Sequence, residues 1–168
     1  YTEENTLSLH DALPICYGVE WTNLYVLADW LAIDADLAWS HARFRDHDPL
    51  VGDYIPGAVS TTANIGITLD HLGPWFGSLR LRYFGPRPLI EDNTVRSASS
   101  ALTNLRVGYR LAPRTQLALD VYNLFDRKVN DIEYWYDSQL PGESAAVLDR
   151  HVHPTEPRSF RLTLTYRF

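Results

Sequence analysis

The sequence predicts an all-β chain with about seven strands, arranged as in an antiparallel up-and-down transmembrane β-barrel. Apolar and polar residues alternate with a period of two in six separate segments, and short and long connections alternate between those segments. No stretch contains the roughly 18 to 20 apolar residues that a transmembrane helix needs. A barrel strand needs only about 9 to 11 residues and is apolar on one face, so the pattern fits strands that cross a membrane.

The composition excludes some classes of protein. The chain has 168 residues, with 15 Lys and Arg against 21 Asp and Glu, and a net charge of −6. An acidic chain without a basic patch is not expected to bind nucleic acid. The single cysteine, Cys16, leaves no intramolecular disulfide, and no Cys/His pair has the spacing of a structural zinc site. The chain must therefore be stabilised by packing or by lipid.

The alternation distinguishes two faces along each predicted strand. The six segments are 31–39, 59–69, 75–83, 101–111, 115–123 and 160–168, and a weaker seventh strand is predicted over 18–27. In the six segments one face carries no Asp, Glu, Lys or Arg, whereas nine charged residues lie on the opposite face. Strands with two such unlike faces separate an apolar environment from a wet one.

The connections predict which strand ends lie together. Short links over 28–30, 70–74 and 112–114 alternate with long ones over 44–58, 84–100 and 126–159. Bacterial membrane barrels have short periplasmic turns and long extracellular loops. Aromatic residues collect near the strand ends, with Trp30, Trp75 and Phe168 on the turn side and Trp39, Tyr83 and Phe125 toward the loops. This placement is typical of the aromatic girdles at membrane interfaces.

Two other kinds of barrel remain open at this stage. A soluble lipocalin-like ligand-binding barrel would show the same alternation, with its apolar face turned inward. The polar face here is rich in Ser, Thr, Asn, Gly and Arg and has few Lys and Glu, which favours the membrane barrel. A small outer-membrane enzyme or adhesin barrel is the third possibility.

Two segments resemble a known family. Residues 117–126 read LALDVYNLFD and end in Asn-Leu-Phe-Asp, and residues 157–168 read PRSFRLTLTYRF, with a long loop between them. This arrangement resembles the C-terminus of a TonB-dependent outer-membrane receptor, over about residues 17–168. The resemblance implies a transport receptor of the cell outer membrane, with a 22-stranded barrel, a plug domain inside it and a short segment that contacts TonB.

The resemblance also implies partners. These are outer-membrane lipid, the TonB system and plug domain of the full-length receptor, the outer-membrane assembly machinery, and a small-molecule ligand. The ligand would be scarce, such as a siderophore or other metal chelate, a cofactor or a glycan, and the resemblance does not choose among them. The assembly machinery would read the terminal Phe168. With about seven strands the chain is expected to be a fragment, with no enzyme activity and no cofactor of its own.

The first residues are expected to form a separate segment. Residues 1–16 show no alternation, and Leu7 to Ile15 resembles translated sequencing-adapter sequence. We expect residues 1–16 to be a non-family segment, with the partial barrel over 17–168. The alternative is a natural loop or short helix that leads into the first strand.

The charged residues on the polar face are the candidate lumen lining. They are Asp34, Asp36, Arg80, Arg82, Arg106, Arg110 and Asp120. The arginines are expected to pair with these carboxylates or with those of a plug. Asp34 and Asp36 resemble a catalytic pair, but no partner residues or closed pocket accompany them, so no catalytic residue is predicted.

The long loops supply the candidate ligand contacts, which are Tyr54, Trp135, Tyr136, His151 and His153. His151 and His153 have the i, i+2 spacing that places two imidazoles on one side of a strand. Two histidines can begin a copper or zinc site, but the sequence supplies no third ligand nearby. His41 and His47 are equally isolated, and no metal site is predicted.

Overall fold

The computed structural model describes residues 13–168, apart from the side chains of residues 46–48. The described part forms ten strands. They are β1 (Pro14–Ala28), β2 (Leu31–Asp48), β3 (Gly52–Tyr54), β4 (Thr61–Leu72), β5 (Trp75–Phe84), β6 (Ser100–Ala112), β7 (Thr115–Tyr122), β8 (Asn130–Ser138), β9 (Val147–Pro154) and β10 (Ser159–Tyr166). None of the residues in this range forms a helix with the length and hydropathy needed to cross a bilayer.

Seven of the strands form one antiparallel sheet in the order β1-β2-β4-β5-β6-β7-β10. Apart from the strands inserted in the loops, each strand lies beside the strand that precedes it in the sequence, as in an up-and-down barrel. The short β3 pairs with the C-terminal part of β2. Strands β8 and β9 form a separate hairpin in the loop between β7 and β10. The sheet does not close on itself within the described chain, so β1 and β10 are its edges.

The predicted fold class is confirmed, and all seven predicted strands are present. The predicted short links are tight turns between β1 and β2, β4 and β5, and β6 and β7. Gly73 in the second turn has a φ of 60°, a left-handed conformation that glycine adopts without a steric penalty. The three turns lie at one end of the sheet, and the three long loops lie at the other.

Two strands are longer than predicted by several residues. β1 begins at Pro14, and its first three residues pair with Phe44, Arg43 and Ala42. β2 continues past the predicted end at Trp39 to Asp48, so it extends well beyond the apolar part of the sheet. Residues 1–12 lie outside the described part, and the boundary predicted after residue 16 stays a prediction.

The three elements inside the long loops were predicted as loop. β3, β8 and β9 are strands instead. The sequence of β8 has a period-2 signal, because residues of other types, some of them charged, separate Ile132, Tyr134 and Tyr136. The signal is weak because this hairpin is mostly exposed and has no single apolar face.

The apolar face of the sheet is not covered by protein. Only Leu89, Ala118 and Val121 are buried hydrophobic residues in the described part of the chain. Ile65, Leu79 and Leu119, from the middle of three different strands, remain 41%, 39% and 39% exposed. A soluble barrel would bury these side chains in its core, so the sheet has the exposure expected of a lipid-facing wall.

Candidate functional site

The strand register places all seven predicted lumen residues on one face of the sheet. Asp36 lies opposite Asn64, which lies opposite Arg82. The next row on the same face crosses four strands and consists of Asp34, Gly66, Arg80 and Asn104. Arg106, Asp120 and Arg161 form a further row, and Arg110, Gln116 and Thr165 lie nearer the turns. We call this surface the polar face.

Most of the charges on the polar face are paired within the chain. The Arg80 guanidinium donates two hydrogen bonds to the Asp34 carboxylate, at 3.0 and 3.1 Å. Arg106 Nε lies 3.4 Å from Asp120 Oδ1. Both pairs join arginines and carboxylates of the predicted set, whose individual partners the sequence left open, whereas Asp36 has no ion pair among the residues that the structure describes.

The other two arginines pair with carboxylates that the sequence analysis did not single out. Arg82 Nη2 lies 2.7 Å from Asp131 Oδ1 in β8, and Arg110 pairs with Asp70 at the turn end of β4. Arg82 therefore joins the polar face to the loop hairpin. Asp131 could not be found from alternation alone, because its partner lies 49 residues away.

Two glycines make room for side chains on the polar face. A Cβ at Gly66 would lie 2.4 Å from Asp34 Oδ1, so the absence of a side chain allows Asp34 to reach across β4 to Arg80. A Cβ at Gly108 would lie 2.1 Å from the Phe76 ring, which covers this glycine from the neighbouring strand. Arg110 in turn lies over the Phe76 ring, 4.9 Å from its centroid.

Asn123 closes the base of the longest loop. Its buried side chain donates to the carbonyls of Arg127 and Glu156, at 3.0 and 3.1 Å, and its Oδ1 accepts from the Arg127 N–H at 2.8 Å. Three residues on, Asp126 Oδ1 accepts from the Arg158 N–H at 2.9 Å. The first and last residues of Asn-Leu-Phe-Asp thus connect the end of β7 to the start of β10.

The β8–β9 hairpin presents two different faces. Glu133 and Trp135 share one face with Arg150, whereas Tyr134 and Tyr136 share the other with His151 and His153. We call the second surface the aromatic face. On it the Tyr136 and His151 rings stack with centroids 3.9 Å apart, and the Tyr134 and His153 rings meet edge to face at 6.4 Å.

The seven-stranded meander, with short turns at one end and long loops at the other, agrees with a match to a known protein family. Residues 15–124 match the model of the family described as TonB dependent receptor-like, beta-barrel. The chain belongs to this family of TonB-dependent receptors. No curated protein sequence matches it significantly.

Solved structures of similar fold are described as uptake receptors and transporters. The chain aligns with the ferric yersiniabactin uptake receptor FyuA of Yersinia pestis at a TM-score of 0.70 and 21% identity, over 92% of this chain and 24% of that one. The ferric citrate transporter FecA gives the same four values. The closed form of the ferric-catecholate import receptor Fiu of E. coli K12 gives 0.73 and 19%, over 92% and 21%. The chain thus spans about a quarter of the length of these receptors.

The predicted ligand contacts of this TonB-dependent receptor region are placed differently from one another. Tyr136, His151 and His153 lie together on the aromatic face, whereas Trp135 lies on the opposite face of the hairpin. Tyr54 belongs to the loop between β2 and β4, and the Arg43 guanidinium covers its ring at 3.4 Å. The structure therefore brings together three of the five.

The structure also describes the surroundings of the loop histidines and of the terminal residue. Among the side chains that the structure describes, no three His, Cys, Asp or Glu residues are close enough to hold a metal ion. The His151 ring instead stacks on the Tyr136 ring. The predicted assembly residue Phe168 is fully exposed beyond β10, and its ring meets Tyr166 edge to face at 5.3 Å.

An open cavity of about 500 Å³ lies at the turn end of the polar face. Arg110, Arg114 and Arg167 line it, together with Gln116 and Thr165. Of these five residues only Arg110 was predicted to line the lumen. The turn that carries Arg114 brings it beside the other two, which alternation within one strand does not indicate.

Proposed function

We propose that the chain is part of an outer-membrane receptor that binds a scarce ligand outside the cell and imports it by TonB-dependent transport, without covalent chemistry. The observation that carries this proposal is the contrast between the two faces of one sheet. One face is apolar and exposed, and the other carries paired arginines and aspartates. Such a wall fits lipid on one side and a wet, plug-filled interior on the other.

In the full-length receptor the seven strands would form roughly a third of a 22-stranded barrel around a plug domain. The charges that lack partners in the described chain, such as Asp36, Arg114 and Arg167, would then face the plug. The short turns would be periplasmic and the long loops extracellular. This orientation places Tyr136, His151 and His153 on the side from which the ligand arrives.

The ligand class is proposed as a metal chelate, cofactor or glycan. The solved receptors of similar fold carry names that refer to ferric yersiniabactin, ferric citrate and ferric catecholates, and one is a copper transporter, OprC. Their identities to this chain, between 17% and 21%, support the same fold and do not select one ligand.

Phe168 is proposed as part of the signal for the outer-membrane assembly machinery. Its exposed ring at the turn end, beyond the last paired residue of β10, is available for recognition. Removing Phe168 from the full-length receptor is expected to reduce the assembled fraction, which heat-modifiable mobility on a gel reports. Phe160→Leu, within the same strand, is the control and should assemble normally.

Uptake measurements test the transport function. The full-length receptor that carries these strands is expressed in a host without its own metal-chelate receptors, with and without TonB. Radiolabelled iron is supplied as ferric citrate or as a ferric catecholate, and copper is supplied as the metal alone. We expect the receptor in the outer-membrane fraction and accumulation that requires TonB. Absence from that fraction, or accumulation that is equal without TonB, would contradict the proposal.

A further inference from the structure

Glu133 is a buried carboxylate in a hairpin that is otherwise mostly exposed. Its side chain is only 2% exposed, although its neighbours Ile132 and Tyr134 are 40% and 49% exposed. Burying a carboxylate costs desolvation free energy, which is offset only when several hydrogen-bond donors replace the water it has lost. Glu133 therefore marks the place where the hairpin is held.

The donors around Glu133 come from two parts of the chain. The Arg150 guanidinium of β9 contacts Oε2, and the Asn130 side-chain amide donates to Oε1 at 3.2 Å. The Ala98 N–H of the loop between β5 and β6 also donates to Oε1, at 3.4 Å. Arg150 continues to the same loop by donating to the Arg96 carbonyl at 3.0 Å.

A second group of contacts holds the base of the hairpin. Arg82 pairs with the Asp131 carboxylate, and the Arg87 guanidinium donates to the Asp131 carbonyl at 2.8 Å. Since Arg82 lies on the polar face, the hairpin is attached on the polar side of the sheet. Neither β8 nor β9 pairs with the seven-stranded sheet, so these side-chain contacts determine how the hairpin is oriented.

We propose that Glu133 is a positioning residue, which joins the β8–β9 hairpin and the β5–β6 loop into one unit and fixes the direction in which the aromatic face points. The face that carries Glu133 is turned toward the β5–β6 loop. The aromatic face is consequently turned away from that loop, and its Tyr134 and Tyr136 side chains are half exposed. The part of this inference that concerns ligand rests on the proposed function, whereas the docking itself does not.

Distance measurements in the full-length receptor test the docking. Nitroxide labels are attached at cysteines that replace the exposed Ser99 and Ser144, with Cys16→Ser to remove the native thiol of this region. Pulsed electron paramagnetic resonance in lipid vesicles should give one narrow distance distribution. In Glu133→Ala and Glu133→Gln the distribution should broaden and shift to longer distances, more strongly for alanine, because glutamine keeps one acceptor for the Ala98 N–H.

Two further variants make the result specific. Arg150→Met removes the partner of Glu133 from the other strand and should broaden the distribution in the same way. Glu156→Gln changes an exposed glutamate in the same loop, whose side chain has no partner in the described chain, and should leave it narrow. If the Glu133 and Arg150 variants all keep the narrow distribution of the parent, the docking is overturned. Loss of folding in Glu133→Ala leaves the other two variants to decide.

Uptake tests the role in recognition with whichever of the three radiolabelled probes the receptor accumulates. Glu133→Gln should raise the half-saturating concentration several-fold and leave the maximal rate unchanged. An unchanged half-saturating concentration in a variant with a broadened distribution would overturn the role in recognition. A docking result as expected in a receptor without TonB-dependent uptake would contradict the proposed function and leave the docking intact.

Discussion

Asp34 on β2 and Arg80 on β5 form an ion pair that crosses the intervening strand β4 over Gly66. The two side chains have no direct neighbour between them because Gly66 has no Cβ, and a Cβ there would collide with the carboxylate. The pair therefore links β2 to β5 across β4 through side chains, in addition to the backbone hydrogen bonds of the sheet. It stabilises the register of the polar face at its centre.

A double-mutant cycle measures this link. Asp34→Asn and Arg80→Met together should show a coupling energy of about 0.5–1 kcal/mol, since Arg80 is partly exposed and its pair is screened by water. Denaturant unfolding of the full-length receptor in detergent provides the measurement. Asp36→Asn, on the same face but without an ion pair in the described chain, is the control and should show no coupling to Arg80→Met.

Gly108 is expected to resist substitution because the Phe76 ring occupies the space above it. Gly108→Val should destabilise the barrel by about 1–3 kcal/mol, the usual cost of overpacking. Phe76→Ala in the same molecule should recover part of this loss, since it removes the obstructing ring. Thr163→Val on the polar face of β10 serves as the control. Equal losses with and without the Phe76 ring would show that steric conflict is not the cause.

Asn123 should be the most sensitive residue of Asn-Leu-Phe-Asp. Asn123→Ala removes three side-chain hydrogen bonds from a buried site and puts alanine at a φ of 49°, so we expect a loss of about 2–3 kcal/mol. The unfolding midpoint measured by tryptophan fluorescence reports it. Asn64→Ala, an exposed residue on the polar face, should change the midpoint little. A similar small effect for both would mean that Asn123 does not close the loop.

The two loop histidines are not expected to bind a metal ion. His151 stacks on Tyr136, and no third ligand accompanies the pair within the described chain. Isothermal titration of the full-length receptor with Zn²⁺ and with Cu²⁺ should give the same affinity before and after His151→Ala with His153→Ala. A weaker affinity in the double variant would show that the pair contributes ligands.

The sheet was predictable from the sequence because lipid and water impose different chemistry on alternate residues. Ile65, Ile67 and Leu69 oppose Asn64, Gly66 and Thr68 along β4, and this contrast identifies a strand without knowledge of its neighbours. The tight turns are short enough that adjacent strands must pair antiparallel. Both signals are local, and the structure confirms the strands and turns that they predict.

The partners of the charged residues were less predictable because they depend on register and on loop folding. The Arg80–Asp34 pair requires the exact alignment of three strands, which the alternation within one strand does not give. The Arg82–Asp131 pair depends on a hairpin that folds back over the polar face. Above the membrane the lipid no longer imposes an apolar face, so the alternation weakens and β8 and β9 were predicted as loop.

Oxygen accessibility along β5 tests the central claim most directly, that the uncharged face contacts lipid. A nitroxide label is placed in turn at Ser78, Leu79, Arg80, Leu81 and Arg82 of the full-length receptor in a bilayer. Oxygen concentrates in hydrocarbon, so its collision rate should be high at positions 79 and 81 and low at positions 78, 80 and 82. Labels at positions 79 and 81 that are shielded from oxygen, with the even positions open to it, would contradict this account.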